Sequence, residues 1–136
     1  IDLVRAQAEG DASTAQLARV LGLTGRQVRY YRQAAAFLGL LARRAGHWET
    51  TVDGRRLAGA DAASARRMLA QAMRACPLVQ RAARLAGCRR KPHARLEAVA
   101  GFLADCTVLS RCTCLRRART LLASIDWAGA HESPQG

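Results

Sequence analysis

Apolar residues fall at helical spacing from the start of the chain. Leu17, Val20 and Leu21 follow Ser13-Thr14-Ala15-Gln16, and Val28, Tyr31, Ala35 and Leu38 recur on one helical face. Both stripes are introduced by a capping box. Ser13 with Gln16, and Thr24 with Gln27, put a hydroxyl at the N-cap and an amide side chain three residues on. Gly22 ends the first of these helices, and the second is predicted to run to about Phe37. Upstream, Ile1–Glu9 reads as a short amphipathic helix with Leu3, Val4, Ile1 and Ala8 inward, stopped by Gly10. Downstream, the chain becomes extended at Leu38–Leu41. Ala45-Gly46 is a turn between Leu40–Arg44 and His47–Thr50, which makes a hairpin. Thr51 then opens a helix through Leu57.

A helix, a helix, a tight turn, a third helix and a hairpin predict a winged helix-turn-helix over residues 1–58, the hairpin being the wing. The rest is predicted to be helical, so the fold class is mainly α. Helices are expected from Asp61 to about Ala75, over Leu78–Ala86 up to Gly87, over Ala94–Ala104, and over Ser110–Trp127, the longest. Cys76-Pro77 breaks the first from the second, because proline disfavours a helical residue before it. Cys88–His93 reads as a basic loop and Ala128–Gly136 as a disordered tail.

An offset of 86 residues aligns Leu23-Thr24 with Leu109-Ser110, Val20 with Cys106, Val28 with Cys114 and Ala35 with Leu121. The second stretch then has its own capped helix, with Cys114, Ala118, Leu121 and Ile125 inward. Residues 59–128 are either a second helix-turn-helix of the same design or a helical half whose capped helices align by chance.

Half of the residues are hydrophobic and only 4% are aromatic, so the core must be built from Leu, Ala and Val. That composition favours packed helices over a sandwich of strands. The net charge is +12, nearly all of it arginine, with Lys91 the only lysine. A GC-rich genome accounts for part of the arginine, but not for the shortage of acids. The excess implies a polyanionic partner. No apolar run approaches the length of a membrane span. No secretory signal is expected, and the five cysteines form no C-x-x-C pair. A reducing cytoplasm is the expectation. Ile1 rather than Met opens the chain, so an excised domain with a catalytic neighbour elsewhere is an open reading.

Subtracting the buried stripe from Thr24–Phe37 leaves Gly25, Arg26, Arg29, Arg32 and Gln33 outward, with Tyr30 flanking. Arginine and glutamine on one helical face suit base edges and phosphates in a major groove. Thr24 and Gly25 would set the helix start, with its free amides, against a phosphate. No acid occurs between Asp11 and Glu49, a window that also holds Arg43 and Arg44 on the hairpin. These two, with His47, would reach phosphates or a minor groove. In the second half, Cys112, Arg116 and Arg119 share an outward face, flanked by Arg111 and Arg117.

These residues carry a resemblance. Gly22-Leu23-Thr24-Gly25-Arg26-Gln27-Val28-Arg29-Tyr30-Tyr31 followed by Phe37-Leu38-Gly39-Leu40 resembles the winged-helix domains of bacterial restriction and defence proteins. That family shows a similar "RQ..YY..A...LGL" stretch, a wing, and a Thr-led helix containing Gly, matched by Thr51-Val52-Asp53-Gly54. Its closing "LS..T..RR..T" helix ending in Trp is matched by Leu109-Ser110, Thr113, Arg116-Arg117, Thr120 and Trp127. The resemblance covers about half of the chain and implies duplex DNA binding in a bacterial protein. It departs from the pattern between Asp61 and Asp105 and in the cysteines.

Cys106, Cys112 and Cys114, with Cys88 or Cys76, invite a zinc or iron–sulfur reading, and His93 and His131 are spare ligands. The spacing matches no common zinc pattern. Cys112 and Cys114 would also point about 160° apart on a helix. They could share a metal only if the helix began after them. No phosphate loop, dinucleotide fingerprint or nucleophile elbow is present, and the acids are scattered. Catalysis within the chain is not expected, and neither is a cofactor. The expected activity is sequence-specific binding of double-stranded DNA, in a transcription regulator or in the recognition part of a larger defence protein. The alternatives are a cysteine-ligated metal or redox sensor and a basic protein-interaction module. A homodimer or a fused partner protein is compatible with the first.

Overall fold

The computed structural model describes residues 1–131. These residues form eight helices and one two-stranded antiparallel sheet. The chain divides into two units, Ile1–Ala72 and Met73–Gly136.

The first unit contains α1 (Asp2–Ala8), α2 (Thr14–Leu21), α3 (Gly25–Phe37), β1 (Leu41–Arg44), β2 (His47–Thr50), α4 (Val52–Gly59) and most of α5 (Ala62–Ala75). Both expected capping boxes form. Ser13 accepts from the Gln16 amide at 3.1 Å and Thr24 from the Gln27 amide at 3.2 Å, while each glutamine accepts in return from the cap backbone. Between α2 and α3 the backbone turns at Gly22, whose φ of 63° lies in the left-handed region. In the hairpin, Ala45 and Gly46 both have positive φ, the geometry that lets a two-residue turn follow the twist of the strands. Leu41 pairs with Thr50 at the base of the hairpin and Arg44 with His47 at its tip. Thr51 caps α4 through the Gly54 amide. Asp61 caps α5 by accepting from the amides of Ala63 and Ser64. Hydrogen bonds from Ser64 hold the Asp61 carboxyl below its usual range.

Leu3, Val4, Leu17, Val28, Ala35, Leu40, Leu41, Leu57 and Ala65 make one core. Several sequence expectations shift. Tyr31 is 44% exposed and Val20 74% exposed, and Ala8 also faces out. On α3, Val28, Arg32 and Ala35 span an arc of about 60°, whereas Tyr31 lies about 60° to one side of Val28. On the short α2, Leu17 and Leu21 are in phase, and Val20 falls at the edge of their stripe.

The second unit contains the end of α5, then α6 (Pro77–Gly87), α7 (Pro92–Cys106) and α8 (Arg111–Ala130). Prolines occupy the first helical position of α6 and α7, where their missing N–H costs nothing. This shortens the expected basic loop to Cys88–Lys91, and α7 runs two residues past Ala104. Ser110 caps α8 through the Thr113 amide. Ala82, Ala86, Val99, Ala100, Leu103, Cys114 and Ala118 form the core, and their small side chains let the three helices approach closely. The expected disordered tail is corrected in part. Ala128–Ala130 are helical, with the Ala128 carbonyl accepting from Arg74 at 2.7 Å and the His131 ring stacked on Trp127. The remainder of that tail, 132–136, lies outside the described residues.

Gly54 packs where α4 crosses the loop before β1. A Cβ there would meet the Leu40 carbonyl oxygen at 2.0 Å and the Thr50 methyl at 2.8 Å. Gly54→Ala is therefore expected to destabilise the first unit by about 2 kcal/mol or more. Chemical denaturation would show this as an earlier midpoint, whereas an unchanged midpoint would contradict the close crossing at Gly54.

Candidate nucleic-acid interface

The candidate face starts from the rotation of α3 about its own axis. With Val28 and Ala35 inward, Arg26, Arg29, Tyr30 and Gln33 fall within an arc of about 100° on the opposite side. All four are exposed. The Arg29 guanidinium lies back over the helix start, its Nη1 near the position a Cβ on Gly25 would take. That Cβ would meet its neighbours only at 3.6 Å or more, so glycine at position 25 is not required by packing within the chain.

Arg32 departs from the expectation. The helical pattern places it on the outward face, yet it is only 3% exposed. Its side chain turns inward between α1 and α2. Nε and Nη2 donate to Gln7 Oε1 at 3.1 and 2.8 Å, Nη1 donates to Thr14 Oγ1 at 3.1 Å, and Nη2 also donates to the Ala12 carbonyl. The guanidinium lies 5.8 Å from the centre of the Trp48 ring. Burial lowers its pKa from the usual arginine value, and nearby Asp11 offsets part of that shift. Arginine remains charged at any working pH, so the site holds a permanent buried cation.

Gln7 is the residue that sequence reasoning missed. It is 3% exposed, and its amide nitrogen donates to the carbonyls of Gly10 and Trp48, each at 3.2 Å. Its oxygen takes two Arg32 donors, so every strong hydrogen-bonding position of the side chain is used. The signal was present: Leu3, Val4 and Gln7 lie on one stripe of α1, and a glutamine on an apolar stripe implies a buried partner.

The hairpin presents its two arginines differently. Arg43 and Arg44 are both exposed and alternate across the sheet. Arg44 lies 3.7 Å from Glu49, which takes up part of its charge. His47 is 2.9 Å from Asp11, which ties the hairpin tip to the loop after α1. The remaining ion pair of this unit joins Arg56 to Asp53. Among the described residues, therefore, no acid pairs with Arg26, Arg29 or Arg43. Thr24 serves the cap of α3.

In the second unit, Arg116 and Arg119 are exposed on α8, opposite the side that buries Cys114 and Ala118. Arg111 pairs with Glu97 at 2.9 Å and Arg95 with Asp126 at 2.8 Å. Neither Arg116 nor Arg119 has an acidic partner among the described residues. The cysteines are all free. Cys114 and Cys76 are buried, while Cys88, Cys106 and Cys112 are exposed. Cys112 and Cys114 both lie inside α8, so the helix does not start late enough to bring them to one metal. Among the described residues no group of three His, Cys, Asp or Glu side chains is placed to hold a metal ion. No described helix is long and apolar enough to cross a membrane.

A family model matches residues 1–132. The chain belongs to that family, a domain of unknown function, DUF7226. No curated protein and no solved structure matches it.

The Gln7–Arg32 contact gives a test independent of any ligand. Gln7→Leu strands a buried guanidinium and is expected to cost about 3 kcal/mol or more. Arg29→Ala on the exposed face should stay within about 0.5 kcal/mol of the wild type. Denaturant titration followed by Trp48 fluorescence, in a Trp127→Phe background, reads both. Equal midpoints for the two variants would contradict the buried cross-link.

Proposed function

We propose that the protein is a reader of double-stranded DNA, and that its first unit is a winged helix-turn-helix. In this reading α2 and α3 are the helix-turn-helix, with α3 in the major groove, and the hairpin is the wing. Arg26, Arg29 and Gln33 contact base edges. Arginine pairs with the two acceptors of guanine and glutamine with the donor and acceptor of adenine. Thr24 and Gly25 bring the start of α3 to a phosphate, and Tyr30 flanks the groove at a sugar or phosphate. Arg43 anchors the backbone from the wing. Arg44 is the weaker anchor, because Glu49 competes for it.

The observation that carries this reading is the pairing of charge with fixed geometry. Arg26 and Arg29 have no acidic partner among the described residues, and they stand on a helix whose rotation is set by a buried arginine rather than by small apolar side chains alone. A solvated surface helix needs neither feature. The chain would serve as a transcription regulator or as the recognition part of a larger defence protein. The net charge of +12 supports a polyanionic partner without naming it.

The test is binding to duplexes selected from a random-sequence pool. Arg29→Ala should weaken the preferred duplex by about tenfold or more and narrow its advantage over a scrambled one. Arg43→Ala should weaken both duplexes alike and lower the slope of log affinity against log salt by about 0.9. Unchanged affinity in both variants would remove this face from the interface. Failure of the wild type to bind any duplex at low salt would favour an acidic protein partner.

A further inference from the structure

The second unit repeats the buried pattern of the first at a fixed offset of 86 residues. Leu17 and Leu103, Val28 and Cys114, and Arg32 and Ala118 are all buried. Thr24 and Ser110 each cap a helix by accepting from the amide three residues on. Several exposed positions also correspond, among them Val20 with Cys106, Tyr30 with Arg116 and Gln33 with Arg119. A match of caps alone does not require Cys114 and Ala118 to be buried in register with Val28 and Arg32, as they are.

The outward faces are not copies. The positions of Arg26 and Arg29 on α3 are taken on α8 by Cys112 and by half-buried Leu115, which packs against the core of the second unit. The positions of Tyr30 and Gln33 are taken by Arg116 and Arg119. So α8 lacks the two arginines that the proposed reading sets against bases, and it carries two cations in place of neutral Tyr30 and Gln33. The only acids of this unit in the sequence are Glu97, Asp105, Asp126 and Glu132. Glu97 and Asp126 are engaged by Arg111 and Arg95.

Resting on the reading that the chain binds duplex DNA, we infer that Arg116 and Arg119 on α8 form a second contact surface, specific for the phosphate backbone and indifferent to sequence. With Cys112 and Leu115 at the positions of Arg26 and Arg29, the two exposed guanidinium groups of α8 are left to neutralise phosphates, contacts that carry no sequence information. Each contact releases condensed counterions, so the signature is salt dependence rather than discrimination.

The experiment uses the full chain, one selected duplex and one scrambled duplex of equal length, titrated across a salt series. Arg116→Ala with Arg119→Ala should weaken both duplexes by the same factor and lower the log–log salt slope by about 2. Replacing both by lysine should restore most of the slope. Circular dichroism should match wild type, since both side chains are exposed. An unchanged slope and affinity on both duplexes would overturn the inference. So would a loss confined to the selected duplex, which would make α8 a base reader. Loss in the α8 variant together with no effect of Arg26→Ala and Arg29→Ala would leave this surface standing and remove α3 as the reader.

Discussion

A buried guanidinium has few stable solutions. Taking Arg32 out of water costs several kcal/mol unless its donors find acceptors in good geometry. Here they find the Gln7 side chain, the Thr14 hydroxyl and the Ala12 carbonyl. These acceptors come from α1, from the loop that follows it and from the start of α2. The contact is directional where Val28 and Ala35 are not. Apolar residues tolerate a helix rotated by a few tens of degrees, whereas this hydrogen-bonded fork does not. Turning α3 by one residue so that Tyr31 takes the buried seat would expose the cation and move Arg26 off the outward side.

The same contact sets the hairpin. Gln7 donates to the Trp48 carbonyl, and the Arg32 guanidinium lies over the Trp48 ring. His47, next in the strand, is paired with Asp11. The mutual placement of the α3 face and the hairpin arginines therefore derives from one polar centre in the first unit. A surface held this way is pre-organised, and in the proposed DNA-binding reading it does not have to be ordered again on binding. In the second unit Ala118 is buried at the position matching Arg32, a plain apolar seat with no polar fork. In the proposed DNA-binding reading, a base reader needs fixed side-chain positions and a phosphate anchor does not.

Local chemistry made much of this visible in the sequence. Ser13 with Gln16, Thr24 with Gln27, Thr51, and Ala45-Gly46 act through neighbours within a few residues, so the caps and the hairpin could be placed from the chain alone. The misses are long-range. Arg32 reads as a surface charge until Gln7, 25 residues away, is brought beside it. Tyr31 reads as core because three-residue spacing from Val28 is as helical as four. Only the true packing direction, set by that polar pair, decides between them. Cys114 in the core and Cys112 at the surface, by contrast, were legible, because the Ser110 cap sets the phase of α8 locally. The hairpin arginines were legible, but their unequal pairing was not, because Glu49 reaches Arg44 across the sheet and leaves Arg43 alone.

The central claim is that the outward side of α3 meets DNA while its inward side, with Arg32 and Gln7, stays locked. Backbone amide NMR of the full chain, titrated with a selected duplex, tests it most directly. Shifts and broadening should concentrate on residues 24–33 and on the hairpin tip at 43–46, while the Gln7 and Arg32 side-chain signals keep their positions and slow exchange. Perturbation confined to other segments, or a Gln7–Arg32 pair that opens on binding, would contradict the account.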